Sequence, residues 1–129
     1  MRLLLDTHAL LWWLLGDERM PPKLRNTIWD EGNSIYVSAA SAWEIATKHR
    51  IGKLPDIAEI IADFDTVMAE QGFKEMPIAI KHGRTAGALP GLHRDPFDRI
   101  LIAQAMIEDM VLISNEQLFD SYGVQRLWQ

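Results

Sequence analysis

Acidic side chains occupy several places in the sequence where hydration alone would not stabilise a carboxylate. Asp6 directly follows Leu3-Leu4-Leu5, so its charge is predicted to lie beside a low-dielectric core. Asp98 precedes a nearly continuous apolar segment, and Glu44 and Glu116 lie beyond two further apolar runs. Carboxylates that converge in one cleft repel each other unless cations lie between them. Oxygen ligands in this number suit a hard ion, Mg²⁺ or Mn²⁺.

Each of these acids also has a structural role that the sequence permits. Asp is among the most favoured residues at a helix N-cap, so Asp6 is a candidate cap for a helix that begins at Thr7. Asp95 is a candidate cap in the same way, because Pro follows it. Ser41 and Glu44 have the spacing of a capping box. The sequence leaves both roles open for each acid.

The elements that must position these acids follow from the apolar pattern. Short apolar runs predict β-strands at residues 2–6, 35–37, 73–76, 110–114 and 124–127. Helices are predicted at residues 7–16, from Pro22 to residue 32, after Ser38 or Ser41, from Pro77, and from Asp95-Pro96. The most regular pattern, from Ile57 to Met68, predicts one amphipathic helix.

Strands that alternate with helices predict a three-layer α/β sandwich, with a parallel sheet covered by helices on both faces. In such sheets, sites form beyond the carboxyl ends of the strands, near the point where the strand order reverses. Asp6 ends the first predicted strand and Ser114 the fourth. This arrangement would bring Asp6, Glu44, Asp98 and Glu116 to one end of the sheet.

Composition excludes several classes of function. A chain of 129 residues with 48% hydrophobic residues fits one domain, and no apolar run approaches the ~20 residues that cross a bilayer. We therefore expect a cytoplasmic protein without a membrane association. The absence of cysteine removes disulfides and thiolate sites. A net charge of −5 means that any nucleic-acid binding must be local. The basic residues are indeed grouped, as Lys48, His49, Arg50 and Lys53, and as Arg84, His93, Arg94 and Arg99.

Histidine and tryptophan suggest two further interpretations. The chain has four histidines: His8, His49, His82 and His93. No two of them have the His-x₃-His or another recognised zinc spacing, so a zinc site is not favoured. Four of the five tryptophans are Trp12, Trp13, Trp29 and Trp128. Aromatic residues are enriched at interface centres, so these four indicate either a dimer or partner surface or packing in the core.

Four segments together resemble the motifs of PIN-domain proteins, above all the VapC-like bacterial toxin ribonucleases. The segments are Leu4-Leu5-Asp6-Thr7-His8, Ser38-Ala39-Ala40-Ser41-Ala42-Trp43-Glu44-Ile45, His93-Arg94-Asp95-Pro96-Phe97-Asp98-Arg99 and Leu112-Ile113-Ser114. The resemblance spans essentially the whole chain. It implies one domain over residues 1–129 with a central five-stranded parallel sheet. It also implies RNA as substrate, a divalent metal and a small antitoxin as partner. Separately, we expect the chain to form a homodimer.

The same resemblance assigns roles to the acids. Asp6, Glu44 and Asp98 resemble the family's first three acids, with Asp6 and Asp98 as primary metal ligands. Asp95 resembles a further, supporting acid. The family usually has Asp after a strand-ending Thr or Ser and one variable residue, but this chain has Glu116 there. Its longer side chain can still reach a metal, so Glu116 is open between a metal ligand and a helix cap.

Neighbouring residues take supporting roles in this scheme. Thr7 and Ser114 are candidates to hold the ligands through hydrogen bonds, or else to cap the following helices. Phosphate contacts are expected from Arg94, Arg99, Lys48 and Arg50. The resemblance thus implies a metal-dependent endoribonuclease that hydrolyses RNA phosphodiester bonds, as the toxin of a type II toxin-antitoxin pair, with Mg²⁺ or Mn²⁺ as cofactor.

Two other classes of function compete with this hypothesis. Phosphatases of the haloacid dehalogenase type also have an acid at the end of their first strand, but a second Asp follows two residues later, where this chain has His8. The other class is non-enzymatic: a degenerate, catalytically weak nuclease fold retained for protein binding, or a receiver-like domain. Loss of several acids would indicate degeneration, and the acids are present.

Overall fold

A five-stranded parallel sheet forms the centre of the protein. The computed structural model describes residues 1–91 and 94–129. Its strands are β1 (Arg2–Leu5), β2 (Ser34–Ser38), β3 (Lys74–Met76), β4 (Val111–Ile113) and β5 (Arg126–Leu127). They are arranged in the order β3-β2-β1-β4-β5, and every neighbouring pair is parallel. The predicted α/β fold with a parallel sheet is confirmed.

The strand order reverses beside β1. The chain moves from β1 outward to β2 and β3, and then returns to add β4 and β5 on the other side of β1. Leu5 at the end of β1 pairs with Val37 in β2 and with Ile113 in β4. A crevice beyond the carboxyl ends of β1 and β4 is therefore the place where a sheet of this topology positions a ligand.

Seven α-helices of the described chain connect and cover the strands. They are α1 (Thr7–Leu15), α2 (Pro22–Trp29), α3 (Ala39–Arg50), α4 (Ala58–Ala62), α5 (Phe64–Glu70), α6 (Ile80–Ala88) and α7 (Pro96–Ile107). Two 3₁₀ helices lie at Pro55–Ile57 and Gln117–Tyr122. Gly16 ends α1 in the left-handed conformation, with φ of 63°, which glycine adopts without steric cost. Within the residues described, no helix combines the length and the apolar character needed to cross a membrane.

The sheet is buried on both faces, which explains its consecutive leucines. Leu3 and Leu5 point into one apolar cluster, which includes residues of α1, α2 and α3. Leu4 points into the other cluster, together with Leu101 and Ile102 of α7. All three leucines of β1 are fully buried. Asp6 follows them directly, so the fold places its carboxylate at the boundary of the core.

The prediction of one continuous helix from Ile57 to Met68 is wrong. The segment forms a 3₁₀ turn followed by α4 and α5, with a break at Asp63, where φ is −141° and ψ is 50°. Asp competes with the helical backbone for hydrogen bonds and is a poor residue for a helix interior. The apolar residues on both sides of the break pack against the same core cluster.

The helix predicted to open at Pro77 begins three residues later, at Ile80. The reason is a cap that the sequence did not reveal: the backbone N–H of Ala79 donates to Nδ1 of the buried His82, at 2.9 Å. Gly83 and Gly87 both lie inside a continuous α6.

Candidate active site

Asp6 is the centre of the predicted site and is fixed from both sides of the strand-order reversal. Its backbone N–H donates to the Ile113 carbonyl of β4, at 3.0 Å. Its side chain caps α1, accepting a hydrogen bond from the Ala9 N–H at 2.8 Å. The residue is only 4% exposed. The cap and the candidate ligand are therefore the same side chain, and the two roles are compatible because one oxygen serves the cap.

The electrostatic environment of Asp6 is unfavourable for a charge. Burial raises the pKa of this carboxyl from an ordinary value of 3.8 to about 6. Hydrogen bonds from the Ser114 side chain and the Ala9 backbone act in the opposite direction, while the charges of Glu44 and Glu116 raise the pKa further. Three acids thus influence one another here, and a bound cation would relieve the repulsion.

Glu44 lies on α3 and is buried, with both carboxylate oxygens in contact with donors. The Thr7 hydroxyl donates to Oε1 at 2.7 Å, and the Lys48 ammonium lies 2.5 Å from Oε2. The Ser41 hydroxyl lies 3.2 Å from that of Thr7. Glu44 is therefore tied to α1 and held within reach of Asp6.

The capping box predicted for Ser41 and Glu44 does not form. α3 begins at Ala39, two residues before Ser41, and Ser38 is its N-cap, accepting from the Ala40 N–H at 3.0 Å. Ser41 consequently lies inside the first turn, where its hydroxyl faces Thr7. This frees Glu44 from a cap and leaves it to the acidic site.

Ser114 and Glu116 join the end of β4 to the same site. The Ser114 hydroxyl is buried, bonds Asp6, and accepts the Glu116 backbone N–H at 3.0 Å. The Glu116 side chain caps the following 3₁₀ helix through the Leu118 N–H, at 3.1 Å. Its cap role is thus confirmed, while its charge still acts on Asp6.

Asp95 and Asp98 share the first turn of α7. Asp95 is the N-cap, and its Oδ1 accepts from the Phe97 and Asp98 N–H groups at 2.9 and 3.2 Å. Asp98 is half-buried. α7 runs back from the carboxyl edge of the sheet towards β4, and the Phe97 ring contacts Trp43 of α3. The start of α7 is therefore attached to the helix that carries Glu44.

The donor set suits a hard divalent cation in its chemistry. The side chains of these five acids offer only oxygen atoms as ligands, and the hydrogen bonds to Asp6 only partly offset the cost of burying its charge. In residues 1–91 and 94–129, no three His, Asp or Glu side chains are arranged closely enough to hold one ion between them. Mg²⁺ does not require that, because it commonly binds through one or two carboxylates and keeps several waters.

The four cations predicted to contact phosphate have different surroundings. Lys48 is paired with Glu44. Arg99 donates to the carbonyls of Ala86 and Leu89, which ties α7 to the end of α6 rather than leaving these N–H groups to a phosphate. Arg50 and Arg94 are exposed.

The structure also shows the surroundings of several histidines and tryptophans. His82 is buried and bonds Glu108, and His8 stacks on Trp12; His93 lies outside the described residues. Among the four tryptophans of the predicted surface, only Trp29 is exposed, whereas Trp12 is buried and Trp13 and Trp128 are half-buried. Sequence reasoning missed that Trp43 is 61% exposed. Its position directly before Glu44 was the available signal.

Comparison with known proteins identifies a protein family that the sequence matches. The sequence profile of the PIN domain matches residues 3–124. Ribonuclease VapC16 of Mycobacterium tuberculosis is 40% identical over 62 residues, a segment that covers 48% of this chain and 43% of that protein. The match thus spans less than half the length of this curated relative.

Solved structures share the fold. VapBC2 from Rickettsia felis, bound to a promoter DNA fragment, matches over 100% of both chains with a TM-score of 0.74 and 15% identity. DNA-bound VapBC from Salmonella typhimurium matches over 98% and 97% of the two chains, with a TM-score of 0.69 and 13% identity. FitAB bound to an IR36 DNA fragment matches over 97% and 93%, with a TM-score of 0.65 and 17% identity. Since the profile covers nearly all of the sequence and the topology agrees, the chain belongs to the PIN domain family.

Proposed function

We propose that this protein is a divalent-metal-dependent endoribonuclease that hydrolyses RNA phosphodiester bonds, with residues 1–129 forming one nuclease domain. The observation that carries the proposal is Asp6, a buried carboxylate with a pKa raised to about 6, at the strand-order reversal of a PIN-domain sheet. Such a charge destabilises the folded protein without metal, and groups whose pKa is perturbed in this way cluster at functional sites. The similarity to ribonuclease VapC16 supports RNA as the substrate.

Mg²⁺, or Mn²⁺ in its place, is the proposed cofactor. Asp6 and Asp98 would be its primary ligands, Glu44 and Glu116 would orient water or hold a second ion, and Asp95 would support Asp98. When bound, the ion supplies an activated water and charge relief on the phosphate. Magnesium is proposed first because a set of hard oxygen donors selects it over zinc.

The chain's own residues hold the ligands in position. Ser114 and the Ala9 N–H donate to the Asp6 carboxylate and so restrict its rotation. Thr7 fixes one oxygen of Glu44, and Lys48 neutralises the other. Outer partners of this kind typically contribute 10- to 100-fold to metal affinity or activity, and we expect a contribution of about this size here.

The test is cleavage of end-labelled RNA by purified protein, with structured and unstructured RNAs in Mg²⁺, Mn²⁺ or EDTA. We expect internal cuts in the presence of metal and none in EDTA, and no cuts by an Asp6→Asn variant under any condition. Equal cleavage by wild type and Asp6→Asn would contradict the proposal, because the cuts would then not depend on the Asp6 carboxylate.

The proposed partner is a small antitoxin, together with a second copy of the chain. Support comes from the similar solved structures, which are described as VapBC and FitAB assemblies, and from the exposed Trp29, whose ring lies 6.4 Å from that of Trp13. Sedimentation velocity at tens of micromolar tests the dimer, and co-purification with the product of a neighbouring gene tests the antitoxin. A strict monomer that captures no such product would contradict both.

One alternative function remains to be tested: a catalytically weak PIN fold that acts as a protein-binding module. The absence of a three-acid cluster in the described residues favours it in part. No RNA cleavage in any metal, with partner binding retained, would establish it. The phosphatase alternative loses support from the family match, and His8, where such an enzyme has its second acid, stacks on Trp12.

A further inference from the structure

A pair of aromatic side chains lies beside the acids and takes no part in the chemistry described above. Trp43 directly precedes Glu44 on α3, and Phe97 directly precedes Asp98 on α7. Their ring centroids are 4.8 Å apart and the rings meet edge to face, at 80°. We call Trp43 and Phe97 the aromatic platform. An edge-to-face contact uses one edge and one face, so further π surface stays available.

The exposure of Trp43 is unusual for its position. The ring is 61% exposed, whereas the next residue, Glu44, is 4% exposed. The Trp43 indole leaves most of its surface in water although it packs against Phe97, and tryptophan is among the residues most enriched at the energetically dominant positions of binding interfaces. Because Phe97 holds the ring on one side, Trp43 has already lost part of its rotational freedom, which lowers the entropic cost of binding a ligand there.

The rest of the exposed face of α3 suits an extended strand of nucleic acid. Residues spaced by three or four share one helix face, and here they are Ala39, Trp43, Ala46 and Arg50, all exposed. The two alanines leave the face flat. Arg50 lies seven residues beyond Trp43, about 10 Å along the helix axis. The face thus combines one aromatic ring with one cation, the pairing that binds single strands.

We propose that the aromatic platform stacks on an unpaired nucleobase next to the cleaved phosphate, while Arg50 contacts the backbone of the same strand. The inference rests on the ribonuclease activity proposed above and adds the side chains that would hold the substrate strand beside the acids. Bases within a duplex are already stacked and cannot reach an exposed indole without being splayed out. The net charge of −5 also weakens general attraction to phosphates, so stacking supplies affinity that electrostatics does not.

The experiment measures RNA binding in the Asp6→Asn background, which prevents cleavage. The probe is a fluorescein-labelled, unstructured RNA of about 12 nucleotides that the wild-type protein cleaves. A series of probes carries a single abasic nucleotide at each position around the cut, and binding is followed by fluorescence anisotropy. The protein variants are Trp43→Leu, Trp43→Phe and Arg50→Gln, with Ile80→Ala as the control at another exposed apolar side chain.

The proposal predicts that Trp43→Leu weakens binding about tenfold, in the range typical of losing one base–aromatic stack, and that Trp43→Phe restores most of it. One abasic position should cost about tenfold in the protein with Trp43 and nothing further in Trp43→Leu. Arg50→Gln should weaken binding of every probe and lower the salt slope by about one. Ile80→Ala should bind like the parent.

Three other outcomes would contradict either the aromatic platform alone or the ribonuclease proposal as well. Unchanged binding by a folded Trp43→Leu variant, while the wild type cleaves RNA, overturns the platform alone. Conversion of a dimer to a monomer by Trp43→Leu in sedimentation velocity shows that Trp43 is a subunit contact and also overturns it. Absence of cleavage by the wild type, with no binding at about 50 mM salt, overturns the ribonuclease proposal and the platform with it.

Discussion

Two clusters of ionisable side chains are centred on Asp6 and Glu108, and they shift the pKa of these carboxyls in opposite directions. Around Asp6, burial and two neighbouring carboxylates raise the carboxyl pKa to about 6. Around Glu108, burial also acts to raise the pKa, but hydrogen bonds from His82 and Lys81 outweigh it and hold the pKa below its ordinary value. The first cluster carries unbalanced charge, and the second is neutralised by its own residues.

The geometry of the second cluster explains its balance. Nδ1 of His82 accepts the Ala79 N–H, so the ring proton is on Nε2, which donates to Glu108 at 3.2 Å. Lys81 lies 3.3 Å from the same carboxylate oxygen. The cluster thereby fastens the start of α6 to the end of α7. Neighbouring side chains can therefore balance a partly buried carboxylate, as they do for Glu108, and we propose that the incompletely balanced Asp6 marks the functional site.

The largest expected effect is on RNA cleavage, which should depend on the acids around Asp6 and not on the cluster around Glu108. Asp6→Asn or Asp98→Asn should reduce RNA cleavage by roughly 100-fold or more, beyond the loss typical of outer partners. The fold should persist, because Asn caps a helix about as well as Asp. Glu108→Gln is the control in the balanced cluster and should cleave at the wild-type rate. Near wild-type cleavage by Asp6→Asn in Mg²⁺ would show that the ligand assignment is wrong.

The second prediction concerns stability without metal and has opposite signs in the two clusters. Because folding raises the Asp6 pKa, the folded protein binds more protons between pH 3.8 and about 6, and its free energy of unfolding falls as pH rises through that window. In EDTA above pH 7, Asp6→Asn should therefore be more stable than wild type, by up to about 3 kcal/mol.

Glu108→Gln should instead lose stability at neutral pH, and the difference from wild type should shrink on acidification, because the lowered pKa of Glu108 stabilises the ionised form. Urea unfolding from about pH 2.5 to about pH 8 measures both variants, because the Asp6 window lies below about pH 6 and the Glu108 window lies below pH 4.5. Parallel pH profiles for wild type and Asp6→Asn would remove the distinction between the clusters.

A smaller effect is expected from Lys48, the only cation in a described ion pair with a site acid. Lys48→Met leaves one oxygen of the buried Glu44 without its partner, so the free energy of unfolding in EDTA should fall by about 1–3 kcal/mol. Mg²⁺ should recover part of this loss, since a second cation can approach the vacated oxygen. Lys53→Met, at an exposed position, is the control. Destabilisation that Mg²⁺ leaves untouched would make Lys48 purely structural.

The smallest effect is predicted for Glu116, whose cap role the structure confirms. Glu116→Gln should cost ~0.3–1 kcal/mol as a cap. If Glu116 is also a metal ligand, the Gln variant should lower the cleavage rate and shift the Mg²⁺ midpoint, while Glu116→Asp should keep activity with altered metal dependence. An unchanged rate and midpoint in Glu116→Gln would leave it a cap alone.

The sequence was sufficient where local signals are strong. Asp95 before Pro96 marks the start of α7, and Gly16 marks the end of α1, because caps and left-handed glycine act within a few residues. The leucines of β1 followed by Asp6 predicted both the buried strand and the carboxylate beside the apolar core. These features depend on chain neighbours and on burial, which hydrophobicity predicts.

Features that depend on tertiary contacts were not predictable. The break at Asp63 and the late start of α6 come from packing and from the His82 cap. The start of α3 at Ala39 rather than at Ser41 redirects Glu44 from a cap to the pair with Lys48. In each case local propensity permitted two outcomes, and a partner distant in sequence or a neighbouring turn selected one.

The most direct test of the central claim is calorimetric titration of Mg²⁺ into wild type, Asp6→Asn and Glu108→Gln at pH 7.5. The claim is that the unbalanced charge around Asp6 forms a cation site, whereas the balanced cluster around Glu108 does not. We predict saturable binding by wild type and by Glu108→Gln, and its loss in Asp6→Asn. Equal binding by wild type and Asp6→Asn would contradict the account.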